Sequence, residues 1–336
     1  MVRIGLIGLG FMGRVHFDAY SQLPIANVIA AADRDPNRAR GDLSEVWGNL
    51  GDTVSKHLPM DKIKGTVLWP ELMASPDIDV IDICVPTPDH MTIVLAALQS
   101  GKHVLCEKPL ARTSADAMRI AEAAAKAKGF FMPAMCMRFW SEWEWLANAV
   151  RDGRYGKVWS AAFCRLGSCP VGWYRNGALS GGALLDLHVH DTDFVYHLFG
   201  KPRAVFSRGF TMMSGELDHV VTQYLYDNGP NVTTTGSWAN SPGTPFKMEF
   251  VVNFEKATVH FDMSRPKTLM AYHDDTAEPV ETPKLTGYVG ELGYFLDCVA
   301  NRRKPTRVTV DDAVMGLRIL EAEKLSAESG KIVELS

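Results

Sequence analysis

Val2-Arg-Ile-Gly-Leu-Ile-Gly8-Leu-Gly10-Phe11-Met12-Gly13 reads as a buried strand that runs into a glycine turn and then into a helical pattern ending near Leu23. In that context G-x-G-x-x-G has a mechanism. Gly8 permits the tight turn, and Gly10 lets backbone amides approach a pyrophosphate. Gly13 lets the helix pack close to the strand, while the helix N-terminus favours negative charge. Phe11 and Met12 fall inside the same turn and join it as cofactor-binding candidates. A second apolar run, Val28 to Ala32, ends at Asp33, where an acidic side chain would accept hydrogen bonds from the adenosine ribose of NAD. Arg34 beside it is either a solvated loop residue or a partner for the 2'-phosphate of NADP.

Strands and helices keep alternating. A helix is expected over Pro36 to Leu50, then an irregular segment, Val67-Leu68 and a helical turn at Pro70 to Ala74. Val80 to Val85 reads as a strand, followed by a helix from Pro86 to Ser100. His103 to Glu107 reads as the next strand, Ser114 to Lys128 as a helix and Phe130 to Met135 as the last strand. Strands too apolar to face water, joined by helices, predict a doubly wound parallel sheet with the cofactor at the carboxyl ends of its strands.

After a helix over Trp140 to Arg151 the pattern changes. Short runs rich in β-branched and aromatic residues occur at Val158–Leu166, Arg203–Met213, Val220–Tyr226, Val232–Trp238, Met248–Phe254, Thr258–Met263 and Leu269–His273. They predict a large, mostly antiparallel sheet. The expected division is a Rossmann domain over 1–136 and an α+β domain over 137–336. Pro305 to Val310 is expected as a strand, and a last helix over 311–329, capped at Gly330, is expected to pack back on the first domain.

Within the second half, Ser180 to His197 reads as one helix opened by a serine and two glycines. Asp186, His190, Asp193 and His197 then fall at steps of four, three and four, which stacks them on one face between apolar flanks. Burying such groups is costly unless they are paired or used. His188 points away from this stripe.

The chain has 336 residues, enough for two full cores, and a formal charge of -4 with no long basic run, which argues against nucleic acid as a partner. No stretch is long and apolar enough for a membrane helix. The N-terminus lacks the basic lead and cleavage site of a signal peptide. The six cysteines are scattered with no C-x-x-C pair, as buried reduced thiols would be. A cytoplasmic location is expected.

These motifs together resemble the family of glucose-fructose oxidoreductase and inositol dehydrogenase. The matching residues are Gly8-x-Gly10-x-x-Gly13, Pro86-Thr87-Pro88-Asp89-His90, Glu107-Lys108-Pro109, Arg138-Phe139, Gly181-Gly182-x-x-x-Asp186-x-x-x-His190-x-x-Asp193, and the Gly-Glu-Leu-Gly-Tyr-Phe-Leu-Asp run at 290–297. The resemblance implies an NAD(P)-dependent dehydrogenase acting on a sugar, inositol or related polyol. It assigns Lys108, Asp186 and His190 to positions around the reacting carbon. An imidazole can take a hydroxyl proton near neutral pH, a carboxylate can orient it, and a lysine can hold the substrate oxygen.

Softer assignments follow from the same likeness. Pro86, Thr87 and His90 match a loop at the nicotinamide ribose, although His90 serves equally as a helix cap, and Glu107 either touches cofactor or ends its strand. Arg138 and Asp193 are substrate candidates. Trp140, Trp173 and Tyr174 are candidates for packing on a sugar face. Similar proteins associate through the second sheet, so a homodimer or homotetramer is expected. Two competing readings stand beside the dehydrogenase: a non-catalytic nucleotide-binding sensor on the same fold, and a metal-dependent hydrolase or lyase using His188, His190, Asp193 and His197. The seven-residue step from His190 to His197 is not that of a helical metal pair, so no metal is expected.

Overall fold

The computed structural model of the chain describes every residue except 47, 49–54 and 336. Two compact units emerge: Met1–Ala111 with Ala115–Trp140 and Leu285–Val314, and Arg112–Ser114 with Ser141–Lys284 and Met315–Ser336.

The first unit holds six parallel strands: β1 (Val2–Ile7), β2 (Ala26–Ala32), β3 (Lys64–Thr66), β4 (Val80–Ile83), β5 (His103–Cys106) and β6 (Phe131–Pro133). Their order is β3-β2-β1-β4-β5-β6. The order reverses between β1 and β4, the place where ligands bind in open sheets of this kind. Helices α1 (Phe11–Ser21), α2 (Pro36–Ala39), α3 (Pro70–Ala74), α4 (Thr87–Gln99) and α5 (Ser114–Lys126) make the connections. The central strands are buried on both faces, Ile4, Leu6, Val80, Ile81, Ile83, Val104 and Leu105 among them. This is why they read as unbroken apolar runs.

The expected helix over Pro36 to Leu50 does not form over its described length. One turn, α2, is capped by the Asp35 carboxylate on the Asn37 amide and stops at Ala39. Past it, Leu43, Val46, Leu58 and Ile63 fold inward as a small core against which Phe11, Met12 and Phe17 pack. Residues 47 and 49–54 lie outside the described residues. β3 ends before Val67 and Leu68, which are exposed.

The second unit holds α6 (Ser141–Arg151), β7 (Val158–Leu166), α7 (Gly177–Ser180), α8 (Gly182–Asp186), α9 (Val189–Phe199), β8 (Ala204–Phe210), β9 (His219–Leu225), β10 (Asn231–Ser237), β11 (Lys247–Phe254), β12 (Thr258–Asp262), β13 (Leu269–His273) and β14 (Thr276–Pro279). Further on lie α10 (Gly287–Ala300), which belongs to the first unit, α11 (Val310–Ser329), which begins in the first and ends in the second, and β15 (Val333–Glu334). The nine-stranded sheet runs β14-β13-β12-β11-β7-β10-β9-β8-β15, antiparallel except for the pairing of β7 with β10. Strand positions alternate, buried with exposed in the middle of β9 and buried with half-buried along β11. On the buried side Trp143 of α6 meets Phe250 and Phe261 edge-on, with ring centroids 5.1 and 4.5 Å apart. Aromatic burial of this kind contributes about 2 to 3 kcal/mol per ring.

Two expectations fail here. Pro305 to Val310 is not a strand, because side chains rather than a ladder take up its backbone groups. The Tyr294 hydroxyl accepts from the Thr306 and Arg307 amides, and Asp312 accepts from Thr309. The single helix expected over Ser180 to His197 is interrupted at Leu187–His188, where the Leu187 and His188 amides both reach the Ala183 carbonyl. The second of these bonds spans five residues, a one-turn widening of the kind that recurs at functional sites.

Candidate active site

In the first unit the glycine turn has the shape a dinucleotide needs. Gly8 sits at φ +90°, where a Cβ would stand 2.6 Å from the Cys84 carbonyl oxygen. At Gly13 a Cβ would stand 1.9 Å from the Gly8 carbonyl oxygen, so helix and turn touch with no room for a side chain. Gly10 differs, for the nearest atom to its Cβ position is Arg38 Nη1 at 4.0 Å. That open approach beside the first turn of α1 fits a pyrophosphate on backbone amides. Asp33 is buried at the end of β2 and braces the turn. One carboxylate oxygen accepts from the Leu9 amide at 2.6 Å and the other from the Asp35 amide at 2.8 Å. Each oxygen keeps a further lone pair for a hydroxyl. Arg34 is exposed, whereas Arg38, ion-paired at 3.7 Å with Asp35, reaches Gly10. Sequence reading missed Arg38; its place one turn into a helix that opens beside Asp33 was the available signal.

At the ends of β4 and β5 the side chains knit together. His90 is buried, with both ring nitrogens 2.9 Å from carbonyl oxygens, those of Val85 and Pro109. Its polar atoms tie two loops together. Burial draws this imidazole below its ordinary pKa. Thr87 is buried at the start of α4, with Pro86 half-buried before it. Glu107 is also buried and faces protein, accepting from His16 Nε2 at 3.0 Å and from the Lys108 amide at 2.9 Å. From Val104 to Ala111 every residue is buried except Lys108, which is half-buried.

The second unit shows the same selectivity. From Gly181 to Val195 every residue is buried except Asp186 and His190. The widened turn produces this by sending its neighbours inward. His188 Nε2 lies 3.1 Å from Thr234 Oγ1 and 3.1 Å from a Glu323 carboxylate oxygen. Glu323 also accepts from Tyr224 and Thr192, at 2.8 and 3.1 Å. One residue past His190, Asp191 takes a two-pronged bond from Arg165 at 3.0 and 3.1 Å. Residues 188, 191 and 192 thus clamp the helix start to β7, β9, β10 and α11, leaving 186 and 190 on the open side. The four-residue stripe expected from an unbroken helix is therefore divided, Asp186 ending α8 while His190, Asp193 and His197 lie in α9, with Asp193 1% exposed.

Other candidates are placed as follows. Arg138 is buried and donates to the Arg307 carbonyl and to Asp312, clasping the start of α11. Trp140 is half-buried, edge-on to Tyr288 with centroids 6.0 Å apart. Trp173 and Tyr174 are half-buried and lie ring to ring at 4.3 Å, Tyr174 packing against the Trp238 cluster. His188 is spent on Glu323 and Thr234, which removes it from the hydrolase set. Among the described residues, the groups close enough to share a metal ion are His16, Asp82 and Cys84, and Glu249, His260 and Asp262; His190, Asp193 and His197 do not form one.

Comparison with known proteins agrees with this arrangement. Residues 2–135 match the oxidoreductase family with an NAD-binding Rossmann fold, and residues 143–260 match the C-terminal domain of the same family. The myo-inositol 2-dehydrogenase of Thermotoga maritima is 26% identical over 99% of this chain and 98% of its own length. A trans-1,2-dihydrobenzene-1,2-diol dehydrogenase of Bos taurus is 30% identical over 70% of this chain and 68% of its own. Among solved structures, levoglucosan dehydrogenase in complex with NADH superposes with a TM-score of 0.85 at 22% identity, over 100% of this chain and 99% of that one, a likeness of fold. The glycine cradle, the parallel sheet and the matched sequence leave one conclusion: the chain belongs to the Gfo/Idh/MocA family of NAD-binding oxidoreductases.

Proposed function

We propose that this oxidoreductase interconverts a secondary hydroxyl and a ketone on a sugar, inositol or related polyol, with His190 as the base. The observation that carries the reading is the burial pattern, in which Lys108, Asp186 and His190 alone stay half-open within stretches otherwise closed to solvent. Bound NAD, cradled by Gly8, Gly10 and Gly13 with Asp33 at the ribose, supplies the hydride acceptor. His190 takes the hydroxyl proton, Asp186 steadies the charged imidazole, and the Lys108 ammonium donates to the substrate oxygen as negative charge builds there. The named dehydrogenases of inositol and of a dihydrodiol among the relatives support a cyclic polyol as substrate.

The test is absorbance of reduced nicotinamide, with NAD and then NADP, over inositols, aldoses, sugar acids and their keto forms. Turnover with any of them is the expected result. Tight NAD binding with silence across the panel would favour the sensor reading. Self-association as a dimer or tetramer fits the outer face of the second sheet, where Phe210 and Val221 stand 50% and 40% exposed; sedimentation would measure it. No helix among the described residues is long and apolar enough to cross a membrane, and the free thiols of all six cysteines suit a reducing cytoplasm.

The clamp behind His190 gives a further expectation. A Cβ on Gly236 would stand 2.6 Å from His188 Nδ1 and 3.0 Å from its Cβ, so Gly236→Ala must push the imidazole off Glu323 and Thr234. Overpacking of this sort costs about 1 to 3 kcal/mol, and the shifted turn lowers kcat about tenfold or more. NAD affinity, set in the other unit, stays unchanged. Melting temperature, steady-state rates and cofactor titration would check all three.

A further inference from the structure

We propose that His16 is a positioning residue for Lys108, a buried cationic strap that holds Glu107 in place and through it the backbone from which the lysine projects. The inference rests on Lys108 acting as the substrate-oxygen donor. His16 is 0% exposed in α1, beneath the glycine turn. Its Nδ1 lies 2.8 Å from Asp82 Oδ2 and its Nε2 3.0 Å from Glu107 Oε1. Ionised carboxylates only accept, so both ring nitrogens donate and the ring is an imidazolium. The second Glu107 oxygen, Oε2, accepts the Lys108 amide at 2.9 Å. One line of bonds therefore runs from the end of β4, through α1, to the residue after β5.

The groups around the ring agree. Tyr20 donates to the same Asp82 oxygen at 2.9 Å, the Cys84 thiol lies 3.3 Å from Nδ1, and the Tyr288 ring is 6.3 Å away, with Glu291 buried alongside. Burial alone would lower the imidazole pKa, but the charge of Asp82 and the bond to it hold it well above its usual range. Burial alone would raise the Glu107 carboxyl, yet the bond and charge of His16 keep it below. Burial and the Glu107 charge push the Glu291 carboxyl well up. Stability does not account for such a cluster, because well-packed apolar residues stabilise a core as well or better. Its placement does, for all three partners converge where the sheet presents Lys108.

The experiment pairs rates with a chemical readout that does not depend on turnover. An amine-directed acylating reagent is applied to wild type and His16→Gln, and labelling of Lys108 is followed by peptide mass spectrometry with exposed Lys128 as control. His16→Gln should change the Lys108 labelling rate about threefold or more and lower kcat about tenfold to a hundredfold. Lys128 labelling and NADH affinity should hold. In a Lys108→Ala background the same substitution should cost no further turnover, since the two act as a unit. Should His16→Gln not fold, Glu107→Gln cuts the same link and leaves the His16–Asp82 pair intact. Unchanged Lys108 labelling, or equal loss of kcat with and without Lys108, would overturn the proposal whatever the activity. Altered Lys108 labelling in a protein that turns over no polyol would uphold the strap and reject the dehydrogenase reading.

Discussion

Replacing His190 with alanine is expected to lower kcat by about 10² to 10⁴, the range over which a positioned general base acts, and to leave NADH affinity unchanged. The argument is positional. His190 keeps its exposure because 188, 191 and 192 carry the load of fixing the helix start, through Glu323, Thr234, Tyr224 and Arg165. Truncating it removes proton transfer without unfastening the helix, so the melting temperature should move little. Stopped-flow rates and nicotinamide fluorescence titration on the same preparation would separate the effects. A fall in NADH affinity matching the fall in rate would mean that His190 is structural, and the mechanism drawn here would fail.

Gly13→Ala and Gly10→Ala should part company in an equally large way. The Cβ at Gly13 would meet a backbone oxygen at 1.9 Å, which cannot swing aside as a side chain tip can. Either the turn or α1 must move, at a cost near the upper end of about 3 kcal/mol for overpacking, and the pyrophosphate site moves with it. Gly10 has φ -74° and ψ -161°, which alanine adopts without strain, and open space at its Cβ. Its alanine variant should keep the wild-type melting temperature yet lose NAD affinity by about tenfold or more, since the methyl occupies the cofactor's approach. Melting curves and cofactor titrations of both variants would check this. A stable Gly13→Ala, or a Gly10→Ala that binds NAD normally, would contradict the cradle.

Most of the architecture was legible because its signals are local. Gly8, Gly10 and Gly13 announce a turn, and the apolar runs from Val2 to Ile83 announce strands covered on both faces. The seven predicted strands of the second sheet all appear, within a few residues of their expected ends. What escaped depends on distant partners. Nothing near His188 in sequence says that Glu323 and Thr234 wait for it, so the widened turn that sets Asp186 in a helix of its own could not be foreseen. The segment after Ala39 forgoes a helix because Phe11 and Met12 offer its apolar residues a better surface. The two-residue β15 and the exposed β14 are too short or too polar to show periodicity. One signal was there to be read: Asp82 is a carboxylate inside an otherwise apolar strand, and a group so placed must have a partner, which His16 proves to be.

The division of the chain, in which the dinucleotide unit takes its last helix from residues 285–314, bears on how the protein is made. Emerging from the ribosome, the first 140 residues hold every strand of the parallel sheet but not α10. They lack Tyr288 and Glu291 beside His16, the Arg307 guanidinium 4.2 Å over the Phe139 ring, and the Asp312 carboxylate on Arg138. The nascent cofactor unit therefore waits, with one flank uncovered, while the whole second sheet is synthesised. A gene fragment cut after residue 140 would express that waiting state, and grafting this unit as a ready-made NAD module requires carrying α10 along, rejoined by a new linker.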